Sequence, residues 1–173
     1  MTLEERLAGI KLLILDVDGV LTDGRIVYDN YGDELKFFDV QDGMGLYLLH
    51  KAGIPCVIIT AKKSRLVKRR AKEVWVARLY QNAHDKLKVY EEVKRIYGLA
   101  DDAVCFIGDD IVDLPVMRRV GLAVAVPYAI EEIKQVAHWI TQREGGRGAV
   151  REVVDRLLRV QGRWELVTAL YHR

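Results

Sequence analysis

The chain has 173 residues, enough for one domain with a sizeable core. Its residues are 50% hydrophobic and 30% charged, the balance of a soluble globular protein rather than a disordered one. Lys plus Arg number 27 against 25 Asp plus Glu, a formal charge of +2, which excludes a general field for nucleic acid or an anionic membrane.

In chain order, Met1 to Leu7 is charged and lacks the apolar core of a signal peptide. Leu12 to Leu15 is a continuous apolar run ending in a polar cluster, which suits a central parallel strand. Arg25 to Asp29 and Glu34 to Val40 flank Asn30-Tyr31-Gly32-Asp33 and predict a β-hairpin with Gly in its turn. A helix is expected over about 43–52, then a strand at Val57 to Ile59 ending in Thr60. Further helices are expected over about 63–74 and 85–97, then a strand at Val104 to Ile107 ending in Gly108-Asp109-Asp110. A helix over about 111–119, a strand at Leu122 to Val126 stopped by Pro127, and an amphipathic helix from Arg147 to Val160 complete the pattern. The basic run from Lys62 through Arg70 reads as a solvated helix face or as part of a substrate site. Cys56 and Cys105 lie inside apolar runs with no partner spacing, so both read as buried thiols of a reducing compartment. The apolar runs are strand-sized, far below the ~20 residues of a membrane span, and the cytoplasm is the expected location.

This βαβ rhythm predicts an α/β fold with a doubly wound parallel sheet in a single domain over 1–173, its ligand site at the carboxyl ends of the strands. The polar clusters stand there. Asp16-Val17-Asp18-Gly19 directly follows the first strand, and two carboxylates two residues apart can divide a phosphoryl transfer. One attacks phosphorus and binds metal; the other protonates the leaving oxygen and later activates water. Asp109, Asp110 and Asp113 supply further hard oxygens that suit Mg²⁺. The Thr60 hydroxyl can bond a phosphoryl oxygen, and Lys86, opening its helix, can neutralise shared charge. Each of these residues alone is an ordinary cap, turn or surface group; their order, each at a strand end, is the informative feature.

With these motifs the chain resembles the haloacid dehalogenase superfamily, at Asp16 to Val20, Thr60, Lys86 and Gly108 to Asp113. The resemblance implies that Asp16 is the nucleophile and Asp18 the general acid and base. It implies Mg²⁺ held by Asp16, the Asp18 main-chain oxygen and Asp109, with Asp110 and Asp113 orienting that site from behind its ligands. The resemblance extends over nearly the whole chain to the 3-deoxy-D-manno-octulosonate 8-phosphate phosphatases, through Glu34 to Gly43, Val112 to Met117, Val120 to Val126 and Gly145 to Glu152. It implies a step of lipopolysaccharide sugar synthesis, with substrate contacts at Asp18, Asp39, Val40, Gln41, Asp42, Gly43, Lys62, Arg70 and Lys86. Where that family usually has Thr-Gly-Arg, this chain has Thr60-Ala61-Lys62, which keeps the charge but loses the bidentate fork.

The stretch from Asp18 to Thr60 holds only the hairpin and one helix, and that from Thr60 to Lys86 is shorter, so neither carries a separate cap domain. The resemblance implies a homotetramer in which a neighbour covers the site. The hairpin is the expected assembly element, because Tyr28, Phe37 and Phe38 need burial. Phosphatases of nine-carbon sugar acids, of the N-acylneuraminate 9-phosphate type, are the nearest alternative, although those relatives tend to carry Glu where Lys62 stands. A phosphorylatable receiver switch would place its acceptor on the third strand. A non-catalytic oligomerisation domain would have no use for every one of these residue types.

Overall fold

A computed structural model describes residues 1–172. Helix α1 (Leu3–Gly9) opens on a capping box between Thr2 and Glu5 and leads into β1 (Leu12–Leu15), buried along its whole length. The hairpin strands β2 (Val27–Tyr28) and β3 (Glu34–Leu35) form a separate antiparallel ribbon. After them come α2 (Val40–Lys51), β4 (Cys56–Ile59), α3 (Arg65–Glu73), β5 (Arg78–Tyr80) and α4 (Lys86–Tyr97). The remainder is β6 (Val104–Gly108), α5 (Leu114–Met117), β7 (Leu122–Ala125), α6 (Glu131–Val136), β8 (Trp139–Ile140), α7 (Ala149–Val160) and α8 (Trp164–Thr168).

The six strands of the main sheet run β5-β4-β1-β6-β7-β8, and every pairing is parallel. The order reverses at β1, so the crevice between the carboxyl ends of β1, β4 and β6 is the expected ligand position. The four buried strands β1, β4, β6 and β7 are the four apolar runs of the sequence, as sheets covered on both faces require. Helices α1, α2, α7 and α8 pack into one layer, and α4, α5 and α6 into another. Among the described residues no helix is long and apolar enough to cross a membrane.

Three expectations are corrected. The edge strands β5 and β8 were not foreseen, because three half-exposed residues and two residues carry no readable periodicity. The helix expected over 111–119 is a 3-10 turn, Ile111–Asp113, followed by only Leu114–Met117. The hairpin strands are two residues each, pairing only Val27 with Leu35 and Tyr28 with Glu34, and the expected second strand gives way by Asp39, which caps α2 by accepting from the amides of Gln41 and Asp42. The hairpin turn is held by the Asp29 carboxylate, which accepts from the amides of Tyr31 at 2.8 Å and Asp33 at 2.9 Å.

The two hairpin phenylalanines separate accordingly. Phe38 packs against the core, with the Arg70 guanidinium 5.8 Å from its ring centre, while Phe37 is 58% exposed. Phe38→Ala should cost about 2–3 kcal/mol of unfolding free energy, below the ~3–5 of a fully buried Phe, and Phe37→Ala within about 0.5 kcal/mol of zero. Denaturant unfolding of the two variants checks this, and equal losses would contradict the assignment.

Candidate active site

Asp16 follows β1 but is still tied to its neighbour, its amide donating to the Ile107 carbonyl at 3.1 Å. The chain then turns on the Val17 carbonyl, which accepts from the amides of Val20, Leu21 and Thr22. Gly19 has φ +89°, and a Cβ there would stand 1.9 Å from Asp109 Oδ2, so the motif glycine is required both by its backbone and by the carboxylate beside it. The loop is backed from behind: a Cβ on Gly145 would fall 1.7 Å from the Gly19 carbonyl oxygen, and the Gly146 amide donates to the Val20 carbonyl at 2.9 Å. The glycine pair before α7 is thus a close backbone contact with the Asp16–Asp18 loop.

Lys86, the first residue of α4, is buried and bridges two carboxylates, with Nζ 2.8 Å from Asp16 Oδ1 and 2.6 Å from Asp113 Oδ1. Asp113 is completely buried, and its Oδ2 accepts from the amides of Asp109 at 3.0 Å and Asp110 at 3.3 Å. Its carboxylate therefore orients both Lys86 and the loop after β6. Asp110 caps the turn that follows, its carboxylate accepting from the Ile111 amide at 2.7 Å.

Carboxylate oxygens of Asp16, Asp109 and Asp113 converge within 4.8 Å of one another. Burial, then the Asp113 charge, hold the Asp16 carboxyl up at about 6 against the pull of Lys86. Burial, then Asp16, Asp113 and Asp110, push Asp109 to about 8. Burial lowers the proton affinity of Lys86, but Asp16 and Asp113 more than reverse this, so its ammonium stays charged. Asp109 Oδ1 is buried with no hydrogen-bond partner among the described residues. One lysine cannot neutralise three convergent carboxylates, two of them buried, once all are ionised, and the orphaned oxygen gives a divalent cation a ligand; the donor set fits Mg²⁺.

A cavity of about 260 Å³ lies over this cluster, lined by Asp16, Asp18, Gly24, Thr60, Ala61, Lys62, Lys86, Asp109, Asp110 and Val112. The structure thus gathers Asp16, Asp18, Thr60, Lys62, Lys86, Asp109 and Asp110 around one space, with Asp113 beneath it. It does not bring Asp39, Val40, Gln41, Asp42, Gly43 or Arg70 to that wall. Arg70 donates to the Asp39 carbonyl at 2.9 Å and covers Gly43, where a Cβ would meet its guanidinium at 2.4 Å. Asp42 is buried and accepts from the Arg151 amide at 2.9 Å, joining α2 to the start of α7. Gln41 accepts from Arg143 at 2.7 Å, and Val40 is 80% exposed.

One participant was not foreseen. Lys36, just after β3, places Nζ 2.6 Å from Asp18 Oδ1 and 3.1 Å from Glu34 Oε1, with its side chain 2% exposed. Burial works against its charge, but the bonds to Asp18 and Glu34 outweigh that and raise its pKa. The alternation of Glu34 and Lys36 with Leu35 and Phe37 was a readable signal of two different hairpin faces.

The haloacid dehalogenase-like hydrolase family matches residues 58–153. The chain is 45% identical over 166 residues to the 3-deoxy-D-manno-octulosonate 8-phosphate phosphatase KdsC of Yersinia pestis, a match covering 96% of this chain and 89% of that one. It is also 45% identical to the enzyme of that name from Escherichia coli K12 over 154 residues, 89% of this chain and 82% of that one. The crystal structure of the 3-deoxy-D-manno-octulosonate 8-phosphate phosphatase from Moraxella catarrhalis, in complex with magnesium, phosphate and KDO, superposes with a TM-score of 0.94. That pair is 39% identical and the match covers 97% of each chain.

With Asp16 held at about 6 and Asp109 at about 8, the metal-free native state keeps protons that the unfolded chain releases. Its stability should therefore fall as pH rises from about 4 to about 8. A cation replaces those protons, so millimolar Mg²⁺ should raise the melting temperature more at about pH 8 than at about pH 5. A Mg²⁺ shift that is equal at both, or absent, would contradict the cluster.

Proposed function

The chain belongs to the haloacid dehalogenase-like hydrolases, and we propose that it is a Mg²⁺-dependent phosphatase converting 3-deoxy-D-manno-octulosonate 8-phosphate to 3-deoxy-D-manno-octulosonate and inorganic phosphate. One observation carries the reading: the Asp16–Lys86–Asp109 cluster lies under a cavity in a chain 45% identical, along 96% of its length, to a phosphatase of that ester. A receiver switch is set aside because it has no need of a general acid, whereas Asp18 lines the cavity beside the Asp16 cluster.

The Asp16 and Asp109 carboxylates and the Asp18 main-chain oxygen would hold Mg²⁺, which when bound neutralises carboxylate and phosphoryl charge. Lys86 fixes one oxygen of Asp16 at 2.8 Å, leaving the other to attack phosphorus. As the Asp16–phosphorus bond forms and the bond to the sugar oxygen breaks, protonated Asp18 gives its proton to that oxygen. Asp18, now ionised, takes a proton from water; the resulting hydroxide attacks phosphorus, and the bond to Asp16 breaks to release phosphate. Thr60 and Lys62 line the wall where phosphoryl oxygens and the sugar acid would lie.

About 260 Å³ is less than the ~300–1,000 Å³ usual for ligand pockets, enough for the phosphoryl group and part of the sugar. We infer that assembly, as a homotetramer, completes the site. Ile26, Tyr28, Leu35 and Phe37 are all exposed on the hairpin, more apolar surface than a two-residue ribbon can bury alone. Asp39, Val40, Gln41 and Arg70 lie off their own cavity and, unlike the buried Asp42 and Gly43, would face a neighbour's.

Phosphate release from a panel of sugar phosphates, including N-acylneuraminate 9-phosphate, tests the reaction. The octulosonate ester should be preferred, and chelation should abolish turnover reversibly. Asp16→Asn should abolish it, since an amide is a poor nucleophile, and Asp18→Asn should lower kcat at least about 10²-fold. Preference for the nine-carbon ester, or turnover by Asp16→Asn, would overturn the assignment.

Tyr28→Asp combined with Phe37→Asp should give smaller species by light scattering. These should lose more efficiency on the sugar phosphate than on a small aryl ester, which draws less on a lid for binding. Monomers with undiminished efficiency on the sugar phosphate would refute the shared site.

A further inference from the structure

Lys36 occupies an unusual place. It belongs to a two-stranded ribbon that has no core of its own, yet its side chain is 2% exposed and its ammonium lies 2.6 Å from Asp18 Oδ1. A second carboxylate holds it from the other side, Glu34 Oε1 at 3.1 Å. Glu34 is held in turn, its Oε2 accepting from the Ser64 hydroxyl at 2.9 Å. Ser64 is the N-cap residue of α3, the helix that follows Thr60 to Lys62, and its amide donates to Gln81 Oε1 at 2.6 Å. A chain of polar contacts thus runs from the cavity wall at Asp18, through the hairpin, to the loop after β4 that forms the opposite wall.

With the lysine buried and both carboxylates partly exposed, these ion pairs contribute little net stability, because desolvation of the ammonium cancels most of the attraction. An apolar residue would close the base of a hairpin as well. What the arrangement does supply is orientation. Asp18 follows the Val17 turn with no sheet pairing of its own, and a carboxyl group that must first give and then take a proton has to keep one position through both steps.

Given the phosphatase reading above, we propose that Lys36 is a positioning residue for that reaction: it acts through Asp18, fixing its carboxyl group at the cavity wall, and Glu34 and Ser64 fix Lys36. The hairpin is then both the assembly element and the support of the proton-transfer group, so that a neighbour's packing on its apolar face steadies the polar face turned toward Asp18.

Lys36→Met tests this in the full-length enzyme on two esters. On the octulosonate ester kcat should fall about 10²-fold with KM within about threefold, since proton transfer rather than binding is impaired. On p-nitrophenyl phosphate the leaving group needs no proton, so transfer to Asp16 should keep near its wild-type rate. Release of phosphate from Asp16 still needs Asp18, so the ratio of first-turnover to steady-state rate should rise at least about tenfold. A merely loosened fold slows both phases together and leaves that ratio unchanged. Should Lys36→Met not be recovered folded, Lys36→Gln, neutral and shorter but still polar, is expected to show the same pattern. A kcat within about threefold of wild type, an unchanged ratio, or a loss that only follows the appearance of smaller species would overturn the proposal. Failure of the wild-type enzyme on the octulosonate ester would instead refute the substrate, while the aryl ester would still report on Lys36.

Discussion

Lys86 lies between Asp16 and Asp113, buried with both, and the arrangement of the strand ends depends on that contact. An isolated carboxylate pair at this depth would repel and neutralise itself by taking up protons. The ammonium allows two of the carboxylates to be charged and close, and it fixes which oxygen of Asp16 is engaged. Asp113 extends this order to the loop after β6 through the amides of Asp109 and Asp110. Asp109 is left with a buried, unpartnered oxygen, the point at which the cluster needs a cation from outside the chain.

Around this charge cluster the backbone is packed without room for side chains. Gly19 lies against the Asp109 carboxylate, Gly145 against the Gly19 carbonyl, and Gly108 against Asp113, where a Cβ would be 2.7 Å from Oδ2. At these places a methyl group would displace either backbone or a buried carboxylate, which ties the glycines to the chemistry rather than to turn formation alone. The start of α7 is part of the same packing, since Asp42 of α2 accepts from the Arg151 amide and holds the glycine-rich segment in place.

The site therefore has a rigid floor and a lighter wall. Asp16, Thr60, Lys86 and Asp113 are buried within the sheet and its first helical turns. Asp18 instead leans on Lys36 and the ribbon, whose outer face carries Ile26, Tyr28, Leu35 and Phe37 in the open. That division would suit the proposed chemistry: a nucleophile at Asp16 must not move, while a proton-transfer group at Asp18 would be held in place by what packs over it.

The sequence by itself determined the parallel sheet, its four buried strands, the placing of Asp16, Thr60 and Asp109 after three of them, and that of Lys86 at the start of a helix. Continuous apolar runs that stop in carboxylates, Thr or Gly are local patterns, and a strand buried on both faces admits little else. Edge strands β5 and β8 escaped it because two or three half-exposed residues carry no period. Adjacent residues of an extended segment face opposite ways, so Phe37 and Phe38 were bound to separate, but that Phe38 is the one against the core, just before the Asp39 cap of α2, was decided by the tertiary structure. The Asp39 to Gly43 segment and Arg70 are close to one another but off the cavity, a matter of where α2 and α3 lie on the sheet. The bonds from Lys36 to Asp18 and from Glu34 to Ser64 were likewise decided by tertiary structure alone. They join residues far apart in the chain, and a contact that depends on how a ribbon folds back over a strand end leaves only a faint alternation in the sequence.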